Sequence, residues 1–175
     1  MSLKKFLPFE DYILTTTLPL REVQARLAEN IEPKKAFRFS FFSRHSTKPY
    51  EGEMLGYSFS ISRIISYRNS FLPAITGNIS AFVGQTQIHV KMKPVLLVII
   101  FMSFWLGVVG LVCIGMLIAG IFQIKQILHD GFSPMMLIPF AMFTFGYSLL
   151  YFAFKAESKK SREFLAALLN GHETI

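Results

Sequence analysis

Pro94–Phe122 reads PVLLVIIFMSFWLGVVGLVCIGMLIAGIF, 29 residues without one formal charge. As an α-helix rising 1.5 Å per residue it would reach roughly 43 Å, against a bilayer hydrocarbon core of about 30 Å. A second charge-free window, Gly131–Phe154, is closed by Asp130 and Lys155 and contains MMLIPFAMFTFGYSLLYFAF. In a chain of 175 residues neither window has enough other protein around it to be buried in a soluble core. The expectation is a transmembrane hairpin over residues 94–154, with spans at about 94–122 and 134–154. A domain of residues 1–93 precedes it and a tail of residues 155–175 follows.

Composition agrees. The chain is 52% hydrophobic, whereas soluble domains hold about 45–50% apolar residues even when glycine is counted, and the excess sits in these two windows. Basic residues set an orientation, because Lys and Arg are enriched on the cytoplasmic side of membrane spans. Of the 18, 13 precede the first span, four (Lys155, Lys159, Lys160, Arg162) follow the second, and only Lys125 lies between. Both termini are therefore expected in the cytoplasm, where the sequon Asn78-Ile79-Ser80 has no meaning. Lys4 and Lys5 are not followed by an apolar run of signal-peptide length, so no signal peptide is expected.

Within the spans, Ser103, Gly107 and Gly110 share about one helical face, and Gly115 and Ala119 form a second small pair. Small residues allow close helix approach in lipid. The expectation is packing against the second span through Ala141, Gly146 or Ser148, with homo-oligomer or partner contact as the alternative. Neither span carries an ionisable group, which argues against a proton relay. Pro139 is a candidate kink. Cys113, the single cysteine, reads as a packing residue, since it cannot form an internal disulfide or a multi-cysteine metal site.

The preceding domain reads as α+β, a mostly antiparallel sheet of about five or six strands with one packed helix. Tyr12–Leu18 is β-branched and aromatic, as strands prefer. Leu20, Val23, Leu27 and Ile31 recur at helical spacing after Pro19, and Pro33 ends that helix. Phe37, Phe39 and Phe41 alternate with polar residues. So do Tyr57–Ser62, and Ile64–Pro73 with Ala74–Ile79 continues the strand signal. A hairpin turn near Val83–Gln85 leads into Thr86–Lys93, with Ile88, Val90 and Met92 on one face. After the second span, Ser158–Asn170 reads as a short amphipathic helix closed by Asn170-Gly171, docked on the sheet or lying on the inner leaflet.

No catalytic set emerges. His45, His89, His129 and His172 lack metal-ligand spacing, and no HExxH, phosphate loop or nucleophile elbow is present. No cofactor is expected. Arg63, Arg68 and Asn69 could converge on an anion, since guanidinium forks suit phosphate; the plainer alternative pairs the arginines with Glu51 and Glu53 or with water. The net charge of +7 lacks a nucleic-acid signature. Lys91, Lys93, Lys155, Lys159 and Lys160 are instead placed to meet anionic lipid, at about 1 kcal/mol per residue close to the surface.

EGEMLGYSFSISRIISYRNSFLPAITGNISAF (51–82), followed by TQIHVKMKP and a span containing Trp105, resembles small bacterial membrane proteins in which a YRNSFLP-like motif precedes two helices. The resemblance covers roughly residues 50–110 and brings no established activity. It implies the same architecture in a bacterial inner membrane.

The functional expectation is a non-enzymatic, membrane-anchored interaction module, an accessory subunit contacting a protein partner or a second copy as well as anionic lipid, with no nucleic acid. Binding of an anionic lipid or phosphate ligand is the alternative. A lipid-directed enzyme ranks third, because its loose candidates Tyr147, Tyr151 and His89 form no acid/base pair.

Overall fold

The computed structural model describes residues 7–33, 48–65, 67, 69–122 and 134–174. The chain divides into two compact units, Met1–Val95 with Phe154–Ile175, and Leu96–Ala153.

The first unit is α+β with a mixed seven-stranded sheet. Its elements are β1 (Glu10–Thr16), α1 (Leu20–Asn30), β2 (Ile31–Pro33), β3 (Tyr50–Leu55), β4 (Ser58–Arg63), β5 (Pro73–Phe82), β6 (Gln85–Pro94) and β7 (His172–Thr174). The strand order is β2-β3-β4-β5-β6-β1-β7, and only the β2–β3 pair is parallel. The sequence reading of five or six strands misses β3 and the two edges, β2 and β7. β2 and β7 are three residues each, too short to show an alternating pattern.

Period-two alternation directs Tyr12 and Leu14, Phe59 and Ile61, Ile75 and Ile79, and Ile88, Val90 and Met92 to one buried face. Val23 and Leu27 of α1 cover it, together with Phe154 and Leu165 of the helix α3 (Ile138–Leu168) and Leu169 just beyond its end. Pro19 stands just before α1 rather than in it. Its carbonyl accepts the first helical bonds from Glu22 and Val23 at 2.9 and 3.1 Å. At the other end Lys48 Nζ donates to the carbonyls of Ala28 and Ile31, both at 2.9 Å, placing a cation on the negative helix end.

Two short hairpins fix the register. β5 and β6 join through Val83-Gly84, both at positive φ (43° and 73°), the two-residue geometry that matches strand twist. β3 and β4 join through Gly56-Tyr57, with Gly56 at φ 58°.

Among the described residues of Ile64–Pro73 the expected strand is not formed: β4 stops at Arg63 and β5 starts at Pro73. Asn69 Oδ1 accepts from the Phe71 amide at 2.9 Å, a turn that competes with strand pairing. The strand expected over Phe37–Phe41 lies outside the described residues.

The tail is not a separate amphipathic helix. α3 runs from Ile138 to Leu168 without a break at the boundary of the apolar window. It closes as anticipated at Asn170-Gly171: Asn170 takes φ 47°, its amide meets Ala167 O at 3.4 Å and Gly171 N meets Ala166 O at 3.0 Å, a Schellman closure.

The second unit holds α2 (Leu96–Phe122), a 3₁₀ turn (Pro134–Leu137) and the first half of α3. Both helices are long and apolar enough to cross a membrane. Pro139 does not act as a mid-helix kink, because it is the second residue of α3, where its amide would have no intrahelical partner anyway. A Cβ on Gly110 would lie 3.4 Å from the Phe143 ring, and one on Gly146 would lie 3.5 Å from Leu106. Ser103, Gly107, Gly115 and Ala119 are exposed, so the small residues of α2 do not act as one stripe toward α3. Ala141 is exposed and Ser148 half-buried, and Cys113 is free and buried.

Gly52 and Gly77 in the sheet leave no room for a side chain. Gly77 faces Phe59 across β4–β5, and a Cβ there would fall 2.1 Å from the Phe59 ring. Phe59 is itself buried and has little room to yield. Gly77→Ala is expected to destabilise the fold by about 1–3 kcal/mol, the usual range for overpacking, and Phe59→Leu in the same chain should recover part of the loss. Thermal unfolding followed by circular dichroism measures both.

Candidate functional site

The helices cover one face of the sheet and leave the other exposed and polar. On that face Glu53, Ser60, Thr76 and Lys91 stand directly across from one another on β3, β4, β5 and β6, with Asp11 continuing the row on β1. Leu55, Ser58, Asn78 and His89 form the next row, and Glu51, Ser62, Ala74 and Lys93 the row on the other side. The first two rows line a shallow hollow of about 460 Å³. Its floor is short because the strand residues there are serine, threonine and asparagine.

His89 Nε2 meets Asp11 Oδ1 at the edge of this face, diagonally across β6 and β1. Asp11 is also the direct cross-strand neighbour of Lys91, yet the imidazole takes its carboxylate. Neither Glu53 nor Lys91 makes an ion pair among the described residues. The hollow therefore offers unneutralised charge at two margins and hydroxyl and amide groups between them.

A second cluster lies on the helix side of the unit. Glu157 of α3 is 4% exposed at its side chain and accepts three donors: Arg63 Nη1 at 3.0 Å, the Tyr67 hydroxyl at 2.5 Å and Lys160 Nζ at 3.1 Å. Burial pushes its carboxyl up, but the hydrogen bonds from Tyr67 and Lys160 and the nearby Lys160 and Arg63 charges outweigh that and hold it below the ordinary value. The ion pair to Glu157 raises Lys160 in turn. Glu157 thus ties the irregular segment after β4 to the helix.

A third set repeats the arrangement at β1. Glu10 receives Lys155 at 2.7 Å and Arg162 at 3.5 Å, and Arg162 also meets Glu173 of β7 and lies 5.2 Å over the Tyr12 ring. Burial raises the Tyr12 hydroxyl against the opposing Arg162 charge. Thr16 Oγ1 and Arg26 Nη1 donate to the Leu169 and Leu168 carbonyls at 2.7 and 3.1 Å, capping α3.

The residues anticipated as an anion site are dispersed. Arg63 binds Glu157 rather than Glu51 or Glu53, Asn69 supports a turn, and Arg68 lies outside the described residues. Lys91 and Lys93 sit on the exposed sheet face, Lys155 binds Glu10, and Lys159 lies 3.9 Å from Glu163 along the helix. Tyr147 and Tyr151 stack on α3 with ring centroids 6.1 Å apart. Among the described residues, no group of three or more His, Cys, Asp or Glu is placed to hold a metal ion.

Sequence reasoning passed over Glu157, although a signal was present. Counting from Phe154 at helical spacing, Glu157, Ser161 and Leu165 share its face. An acid on an apolar helix face needs a partner, and one of its donors, Arg63, was already singled out.

No protein-family model, no curated protein and no solved structure matches this chain.

Because the Glu157 carboxyl is depressed in the fold, its contribution is fully present above the ordinary value of 4.5 and is lost as pH falls through the lower folded value. Glu157→Gln is expected to lose about 1–3 kcal/mol at pH 7, the range for a buried hydrogen-bonded group deprived of its partners. The gap to the parent chain should close below pH 4. Unfolding curves across pH 3–8 measure it; a gap independent of pH would contradict the assignment.

Proposed function

We propose that this is a two-pass membrane protein whose sheet unit is displayed in the cytoplasm as a non-enzymatic interaction module, an accessory subunit of a membrane assembly. The observation that carries the reading is the exposed polar sheet face. Two helices cover the other face completely, while this one keeps a shallow hollow bordered by Glu53 and Lys91. A sheet face with this much short polar surface, and with Glu53 and Lys91 outside any ion pair among the described residues, suits recognition of another protein surface, with water and hydrogen bonds across the contact.

The membrane half rests on length and composition: α2 and α3 are apolar around their circumference over the two charge-free windows, and large apolar side chains such as Leu97, Phe104, Leu111 and Phe145 are exposed. The distribution of Lys and Arg favours cytoplasmic termini, and the resemblance through Tyr67–Pro73 favours a bacterial inner membrane. Lys91 and Lys93 remain available to anionic headgroups. The phosphate-fork alternative loses ground, since Arg63 already serves a buried carboxylate.

Two measurements separate the halves of this reading. Resistance of the full chain to alkaline carbonate extraction is expected if the helices span a bilayer; release into the soluble fraction would overturn the anchor. Purification in mild detergent followed by intact-complex mass spectrometry then tests the face. A stoichiometric protein companion should be lost on Thr76→Arg and kept on Ala25→Arg, a change on the exposed side of α1. Identical complexes from both variants would overturn the role of the face.

A further inference from the structure

Resting on the reading of the sheet face as an interaction surface, we infer that its partner is a second copy of this chain, paired face to face about a two-fold axis parallel to β4 and β5. The charge pattern carries this. Glu53 and Lys91 occupy the two ends of one cross-strand row, with Ser60 and Thr76 between them. Glu51 and Lys93 end the adjacent row with the same signs, with Ser62 and Ala74 between. The face is acidic along β3, basic along β6, and small in the middle. The two columns stand three strands apart, about 14 Å at the usual strand spacing.

A two-fold contact must bring the same patch against itself, so the patch has to be self-complementary. Two axes lying in the contact plane are available. An axis across the strands would set each β3 column on the partner's β3 column, acid against acid. An axis along the strands exchanges the columns, so Glu53 meets the partner's Lys91 and Lys91 meets the partner's Glu53. The short middle residues let the backbones approach, and the paired hollows would hold water among hydroxyl and amide groups.

Asp11, beside Lys91, is taken by His89, and Glu53 and Lys91 make no ion pair among the described residues.

Charge exchange tests this on the full chain in detergent or nanodiscs, with self-association followed by light scattering across a dilution series and folding checked by circular dichroism. Glu53→Lys alone and Lys91→Glu alone should each weaken self-association by about tenfold or more, since two symmetry-related contacts turn from attractive to repulsive. The double exchange Glu53→Lys/Lys91→Glu should restore it. An equimolar mixture of the two single variants should restore it as well, because both contacts are then complementary. A monomeric parent chain, or a dimer indifferent to these changes, would overturn the inference. Single variants that release a different protein, with no recovery in the double exchange, would also overturn it while leaving the interaction surface itself standing.

Discussion

One uninterrupted helix has to satisfy two surroundings, and the rest of the structure is arranged around that demand. Over its first half α3 has no formal charge. From Lys155 onward it carries six charged residues in nine positions, yet Phe154 just before this stretch, Leu165 within the helix and Leu169 just past its end all enter the sheet core. The sheet unit cannot close its core without them, because α1 offers only Val23 and Leu27 as fully buried residues. Residues separated in sequence by the whole apolar hairpin therefore complete one small domain. A domain of that size has limited hydrophobic stability of its own, so its last helical turns carry a large share.

The polar contacts follow the same line. Glu157 gathers Arg63, Tyr67 and Lys160, while Glu10 gathers Lys155 and Arg162. Each set joins α3 to the chain that precedes the hairpin. A buried carboxylate is unfavourable without partners, so these acids add position as well as energy: the helix can seat in only one rotation and one register along the sheet. Thr16 and Arg26 then close its final carbonyls. The opposite sheet face has no such cover, and its charges remain directed outward.

Much of this was legible in the residues. Alternation in Thr86–Lys93 and Tyr57–Ser62, helical spacing in Leu20–Ile31, the turn at Val83-Gly84 and the closure at Asn170-Gly171 each have a local cause, and each appears close to where the pattern places it. What sequence could not supply was long-range. The Arg63–Glu157 pair spans 94 positions and Lys155–Glu10 spans 145, so neither leaves a local trace. β7 is stabilised by its neighbour rather than by its own composition. The charge at Lys155 reads locally as the end of a span and the start of a new element, while the backbone continues as helix because nothing there, neither glycine nor proline, breaks it. The polarity of the outer face was visible strand by strand, but its acidic and basic columns appear only once the register is known.

The most direct measurement is hydrogen–deuterium exchange on the purified protein in detergent, resolved across residues 150–170. Continuity of α3 and its seating on the sheet should leave the amides of Lys155–Lys160 exchanging as slowly as those of β5 and β6. Fast exchange confined to that stretch would show a hinge between an apolar helix and an independent tail, and would contradict the account.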